Sequence, residues 1–488
     1  MNQQYNILLI INFLRMKKNK IMKDYWRVCW MALLLVALFF GSCSDDNDSN
    51  GDSDNAAFDP NIPVQVSGIN PTTGGFGQRL VISGENFGND PSIVNVFVGG
   101  KKAIVINVKN HSIYCLVPSQ AYSGEIEVQI SNGDNPVVST IAEAKFEYVR
   151  KQLVSTLCGS RRDDGGYDTK DGPFNDCGWI TYQMWFSFDP QSNFDHLYVT
   201  THKTKLLRKV DLANERVDIL PQFSSGLDRP AIINWTVDEN QDMILTDDRS
   251  EGSNVNAHFV FKRSTDFKNS EPLVNAKARS LTAAIVHPKN GELYYTAYYD
   301  QNIFRYDFET QQVTTPNRHF ATKETIRMVV HPEGKYAYLM RYYHQNGGGY
   351  IARMDYDDNA KAFTDPYIIC GTTGAGGYVD GVGDRAKVNK PAQGVFVKNP
   401  NYEGEEDEYD FYFCDEGNNC VRMMTPYGRI TTFAGRGNGI ATGDYADGEL
   451  RTEARFNAPC AIAYDEKRKC FYVGDSGNNV IRKIALEE

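Results

Sequence analysis

Two stretches near the end of this 488-residue chain can be laid over each other almost residue for residue. Phe411-Tyr412-Phe413-Cys414-Asp415-Glu416-Gly417-Asn418-Asn419-Cys420-Val421-Arg422 matches Phe471-Tyr472-Val473-Gly474-Asp475-Ser476-Gly477-Asn478-Asn479-Val480-Ile481-Arg482, a spacing of 60 residues. Upstream of each lies a second matched pair. One is Gly377-Tyr378-Val379-Asp380-Gly381, followed by Asn389 and Pro391; the other is Asp444-Tyr445-Ala446-Asp447-Gly448, followed by Phe456-Asn457 and Pro459. A unit copied at fixed spacing buries its apolar face on the next copy, so the chain is confined to a propeller or a solenoid.

Fainter copies extend the pattern upstream. Leu197-Tyr198-Val199 with Leu206-Leu207-Arg208-Lys209-Val210 fits the same template without the Asp-x-Gly-Asn-Asn turn. Met243–Asp247, Leu293–Thr296 and Tyr336–Leu339 repeat its strand in three degenerate units. These six units over residues 151–488 resemble NHL repeats, which implies a six-bladed β-propeller of four-stranded blades. The last unit supplies three strands, and Gln152-Leu153-Val154-Ser155-Thr156-Leu157-Cys158-Gly159 matches Arg429–Gly435, the fourth strand of the preceding unit. The N-terminal strand is therefore expected to complete the last blade, leaving no open sheet edge.

Ahead of the repeats, residues 62–150 alternate in short runs broken by Gly, Asn and Pro: Leu80–Ser83, Ile93–Val98, Ala103–Val108, Ser112–Val117 and Glu125–Ile130. That is the pattern of a small all-β domain. Ile69-Asn70-Pro71, the turn Ser83-Gly84-Glu85-Asn86-Phe87-Gly88, Val96-Phe97-Val98-Gly99-Gly100 and Cys115-Leu116-Val117-Pro118 resemble an IPT/TIG domain, which implies an immunoglobulin-like sandwich. It contains no catalytic constellation, and the fold class expected for the whole chain is all-β.

The formal net charge is −11, and it is unevenly placed. Residues 1–42 hold six basic residues (Arg15, Lys17, Lys18, Lys20, Lys23, Arg27) and one acid, Asp24, so the rest of the chain stands at −16. The basic cluster precedes an apolar run from Val28 to Phe40, shorter than the ~20 residues that span a bilayer. This is the order of a secretion signal. With Gly41-Ser42-Cys43 it resembles a bacterial lipoprotein signal, cut before Cys43 and lipidated there. Residues 1–15 are read as upstream of the real start, at Met16 or Met22. Residues 43–61 then form the lipidated end and a tether, because Ser44–Asn55 has no apolar residue to bury. Asp45, Asp46 and Asp48 behind the cysteine resemble the export signal of surface lipoproteins in gut bacteria. The expected location is the outer membrane, facing outward. A polyanion such as nucleic acid has no electrostatic reason to bind the chain as a whole.

Asp415, Asn418, Asp475 and Asn478 look like metal ligands, but their place in a short hairpin loop favours Asx side chains that cap their own backbone. His287-Pro288 and His331-Pro332 share one repeat slot with Asp189-Pro190, which argues against zinc. No HExxH, GxSxG or metal-spaced Cys/His set is present, and neither metal nor cofactor is expected. Cys414 and Cys420 flank a hairpin loop and could face each other across strands, which leaves a disulfide open, since spacing alone assigns no pairs. Function in a propeller sits where the loops entering the innermost strands meet the loops between second and third strands. Two of the latter are long, Asp247–Asn256 with Asp248 and Arg249, and Arg341–Tyr350 with Tyr342, Tyr343 and His344. Tyr298 and Tyr299 lie on a third. The entering loops add Trp179, Tyr182, Arg229, Arg279 and Arg327.

Flat aromatics beside Asp, Asn, Arg and Gln suit a sugar, whose CH face stacks and whose hydroxyls need fixed partners. The whole therefore resembles accessory glycan-binding proteins of starch-utilisation-type systems. That implies a glycan ligand, outer-membrane lipid held through Cys43, and an outer-membrane importer complex as candidate partner. A propeller hydrolase or lyase working through Arg341 or His344 is the competing reading, and a protein-docking platform a third. At −16, acidic polysaccharides are disfavoured unless Arg229, Arg279, Arg327 and Arg341 gather locally.

Overall fold

A computed structural model describes residues 53–131, 138–159, 169–178, 183–202, 206–220, 227–249, 255–321, 323–344, 348–374 and 376–487. The expected signal, Cys43 and most of the tether lie outside the described residues, as do Trp179 and Tyr182. Among the described residues helix is limited to three-residue 3-10 turns, and none is long and apolar enough to cross a membrane.

Two four-stranded antiparallel sheets make the first domain. One runs Gln65–Asn70, Arg79–Glu85, Ser112–Leu116, Ile104–Lys109 in spatial order; the other runs Lys101–Lys102, Val94–Val98, Ile126–Ile130, Val138–Ile141. Strict alternation of buried and exposed positions along Arg79–Glu85 and Ile126–Ile130 puts Leu80, Ile82, Ile126, Val128 and Ile130 in one core. The Ser-Gly-Glu-Asn-Phe-Gly turn has a steric cause. A Cβ on Gly84 would stand 2.0 Å from the Gln65 carbonyl and 2.3 Å from the Phe87 ring. Asn86, at φ 62°, uses its left-handed conformation to donate to the carbonyls of Asp59 (2.8 Å) and Ile62 (2.6 Å).

Among the described residues six sheets of four or five strands follow. Their first strands, Met184–Phe188, Pro230–Trp235, Leu281–Val286, Glu324–Val330, Pro391–Lys398 and Pro459–Asp465, each touch the next, and the last touches the first. The contacts close a ring, which makes the body a propeller. The closing strand stands where the repeat demanded it: Gln152–Cys158 pairs antiparallel with Val480–Leu486, Gln152 opposite Leu486. Lys151 joins the two domains, its Nζ donating to the Phe76 carbonyl (3.2 Å) and its backbone N–H to the Glu487 carboxylate (3.0 Å).

The repeat's polar residues hold each sheet together. Asp415 is fully buried, accepting from the Asn389 backbone N–H (2.7 Å), the Asn418 amide (2.7 Å) and the Arg422 guanidinium (2.9 Å). The far side of that guanidinium reaches Asp380 (2.8 Å), whose other oxygen takes the Thr432 N–H in the fourth strand (3.1 Å). Asp475, Asn478, Arg482 and Asp447 reproduce the network, with Thr156 of the closing strand in the place of Thr432. These side chains latch one strand to the next rather than capping their own loop, which corrects the Asx reading. Cys414 lies opposite Val421 and Cys420 opposite Asp415, so the two thiols are not cross-strand partners; both are buried and no disulfide joins them.

Candidate functional site

The face lined by the entering loops and the second-to-third-strand loops carries most of the expected residues, and the structure sorts them by depth. Asp247 ends the strand Met243–Asp247 at the latch position. It is buried, accepts the backbone N–H groups of Arg229 (2.5 Å) and Asp228 (3.1 Å), and burial raises its carboxyl above the ordinary range. It is the structural aspartate of its sheet and offers nothing to a ligand.

Arg341 and Tyr342 are corrected in the same sense. The stretch expected to be a loop from Arg341 is strand as far as His344, within Tyr336–His344. Arg341 is 2% exposed, 3.5 Å from Glu324 and donating to the Thr373 carbonyl (3.1 Å). Glu324 also accepts from the Tyr350 hydroxyl (3.1 Å). This sheet therefore has an inverted latch, with the cation on the second strand and the acid on the first. An arginine so held is no reactive group at the surface. Tyr342, 9% exposed, points into the middle of the ring, where its hydroxyl donates to Glu416 (2.8 Å) and accepts from the Gln183 amide (2.7 Å). Arg327 closes the cluster, reaching Gln183 Oε1 (3.1 Å) and the Thr282 carbonyl (2.6 Å) with its guanidinium 5.1 Å from the Tyr342 ring centroid. The His344 side chain, like Trp179 and Tyr182, lies outside the described residues.

The remaining residues form a rim. Tyr299 is 49% exposed and Tyr343 45% exposed. Tyr298 stands edge-on to Tyr299 with centroids 5.0 Å apart, and Arg279 lies over the Tyr299 ring at 4.4 Å. Burial, with the neighbouring phenols of Tyr343 and Tyr299, raises the Tyr298 hydroxyl. Asp248 pairs with His202 (3.1 Å), Arg229 stands 3.7 Å from Asp228, and Arg249 stands 3.7 Å from Asp247. Backbone hydrogen bonds stitch these loops into one edge: Asp248 N–H to Arg229 O, Ser280 N–H to Arg249 O, Tyr298 N–H to Ser280 O and Lys323 N–H to Tyr298 O.

Gln183, Glu416 and Lys323 were not anticipated. Glu416 had a signal, since the matched repeat has Ser476 there, and a departure between near-identical units marks a position freed from building the sheet. Burial pushes the Glu416 carboxyl up, opposed by the Tyr342 hydroxyl and the charges of Lys390 and Arg327. Gln183 follows the aromatic loop directly, and Lys323 had none. Among the described residues no three His, Cys, Asp or Glu side chains group as metal ligands. The opposite face bears a cleft of about 670 Å³ lined by Asp238, Glu292, Arg305, Asp307, Tyr356 and Lys361. Its deepest acid, Glu292, is already held by Arg305, Asn290 and Tyr294.

Residues 63–148 match the IPT/TIG domain family. An auxiliary nutrient binding protein from Bacteroides thetaiotaomicron is 43% identical, with a TM-score of 0.82 over 88% of this chain and 100% of that one. Its counterpart from Bacteroides ovatus is 42% identical, with a TM-score of 0.68 over 89% and 100%. The chain belongs to this family. A further Bacteroides thetaiotaomicron relative, 36% identical with a TM-score of 0.78 over 89% and 99%, goes under the provisional name of a phosphatase. No curated protein is significantly similar. Members of this family thus share both domains described above, since each solved chain is covered from end to end or nearly so.

Proposed function

We propose that this chain captures a nutrient glycan at the outer surface of the outer membrane, as a lipoprotein anchored through Cys43, without transforming it. The observation that carries the reading is the rim of Tyr298, Tyr299 and Tyr343, where a water-facing surface leaves Tyr299 and Tyr343 half exposed and Tyr298 partly so, beside fixed polar groups. An aromatic face at such a place gives a sugar ring its CH–π platform. Membership of a family two of whose solved members are named for auxiliary nutrient binding supports the binding role. The order of basic cluster, apolar run, Cys43 and acidic tether supports the anchoring. An outer-membrane importer is the partner this arrangement would serve.

The competing reading is turnover, and Glu416 is what favours it: a carboxyl raised by burial at the centre of the same face has the character of a general acid. Affinity gels containing host and plant glycans, run beside an assay for new reducing or unsaturated ends, separate the two. Retention without new ends is the expected result. New ends that disappear in Glu416→Gln would overturn it. In the same gels Y298A/Y299A/Y343A should migrate freely; unchanged retention would put the ligand elsewhere. Tyr342 is not a clean probe, because its removal unpairs Glu416 and Gln183 in the middle of the ring.

A further inference from the structure

The net charge of the chain argues against an acidic ligand, but net charge is the wrong quantity if the charges are separated. Among the described residues the edge stitched together by backbone hydrogen bonds carries Arg229, Arg249, Lys277, Arg279 and Lys323, with Arg327 just inside it. An isolated β-bridge pairs Asn256 with Lys277 in the loop ahead of the third sheet, which brings Lys277 into the same edge. Against these six cations the edge has Asp228, 3.7 Å from Arg229, Asp248, engaged by His202, and Asp300, with Glu416 beside Arg327 just inside it. The buried Asp247 carboxyl is held by backbone N–H groups below, with the Arg249 guanidinium 3.7 Å away.

The other end of the strands carries acid-rich loops, interspersed with Lys289, Arg305, Lys335, Lys361 and Lys398. Loop 399–408 alone carries Glu403, Glu405, Glu406, Asp407 and Glu408, and the 670 Å³ cleft adds Asp238, Asp307, Glu309 and Asp358. A strand of five or six residues rising about 3.3 Å each separates the faces by about 15–20 Å. The Debye length at physiological salt is about 8 Å, so a ligand on the cationic edge is screened from the far carboxylates and meets the local charge. Of the four arginines whose gathering was in question, three are on or beside this edge; Arg341 is consumed by Glu324.

Building on the glycan-capture reading, we infer that the ligand is an anionic glycan, with carboxylate or sulfate groups spaced along its chain. Its anions meet Arg229, Arg249, Arg279 and Lys323, while its ring faces rest on Tyr298, Tyr299 and Tyr343. Arginine suits the first task, because its planar fork matches a carboxylate or sulfate edge and it also stacks on an aromatic ring, as Arg279 does on Tyr299. The acid-rich loop 399–408 at the opposite end disfavours such a polymer there.

The test is retention of the mature full chain in gels containing polygalacturonate or heparin, compared with starch and dextran, at about 0.1 M and about 1 M salt, across which the Debye length falls from about 10 to 3 Å. Retention by an anionic polymer that weakens steeply with salt is expected. R279A/K323A should weaken it roughly tenfold, as for two partly exposed charge contacts. Loss of the same two charges from the far face, K335A/K361A, should leave it unchanged, and unaltered thermal melts establish that both variants fold. Retention by a neutral polymer only, or salt-independent retention, would overturn the anionic class while leaving glycan capture standing. Retention by none of the four, repeated across the wider panel, would remove both.

Discussion

The last two sheets and the middle three are built from the same unit and have diverged in opposite ways. In the last two, Asp415–Arg422–Asp380 and Asp475–Arg482–Asp447 tie second, third and fourth strands through an arginine whose inner pair, with Asp415 or Asp475, is fully buried and whose outer partner, Asp380 or Asp447, is exposed. Their loops are short because every residue in them is engaged. In the middle three the latch is partial or inverted: Asp247 keeps the backbone half with Arg249 only at 3.7 Å, Ala297 replaces the acid, and Arg341 exchanges sides with Glu324. The rim tyrosines Tyr298, Tyr299 and Tyr343 and the cationic edge belong to these degenerate sheets. A ring needs closure everywhere but can tolerate local irregularity, so the regular units stabilise the body and the irregular ones are free to vary a surface.

The largest effect expected from that division is on stability. Asp475→Ala leaves Arg482 buried without its main carboxylate, and loss of one partner of a buried pair costs about 3–5 kcal/mol. Urea denaturation should show it as a fall in midpoint of the propeller transition. Glu324→Ala, which strands Arg341 in the irregular fourth sheet, should cost a comparable amount; a negligible cost there would mean that the inverted pair is not a latch.

Next in size is a pH effect. Burial raises the Asp415 and Asp475 carboxyls from 3.8 to about 6, against the lowering pull of Arg422 and Arg482. Folding therefore takes up protons in that window. The two groups contribute most below about pH 4, and their contribution falls as pH rises through about 6. The stability difference between the wild type and D415N/D475N should shift with pH over this interval, by urea denaturation at several pH values. A constant difference would mean the carboxyls are not raised.

The smallest stability effect should come from the rim. Tyr299→Ala and Tyr343→Ala remove half-exposed rings, so each should move stability by no more than about 0.5 kcal/mol. A loss above 2 kcal/mol in either would make that tyrosine part of the packing and weaken the contrast between regions.

Much of the architecture was legible because it is written in local residues. The Asp-x-Gly-Asn-Asn turn, the Asp-Gly pair and the Gly84–Gly88 turn each require particular side chains wherever they occur. Even Thr156 could be matched, since the closing strand repeats the contact that Thr432 makes. The site was less legible because its members differ only in depth. Arg341, Tyr342 and Tyr343 are consecutive on one strand, yet one is consumed by Glu324, one fills the ring centre and one faces water. Which of three neighbours reaches solvent depends on the adjoining sheet, and no local pattern encodes that. Asp247 was misjudged for the opposite reason: its strand was recognised as a repeat, but its end was not aligned with Asp415.

Hydroxyl-radical footprinting of tyrosines, with and without a retained glycan, tests the division between the two regions most directly. Tyr298, Tyr299 and Tyr343 should become protected. Tyr427, 68% exposed on the acidic face, should react equally in both states. Protection of Tyr427 or Tyr356 with no change at the rim would contradict the assignment and place the ligand on the opposite side of the ring.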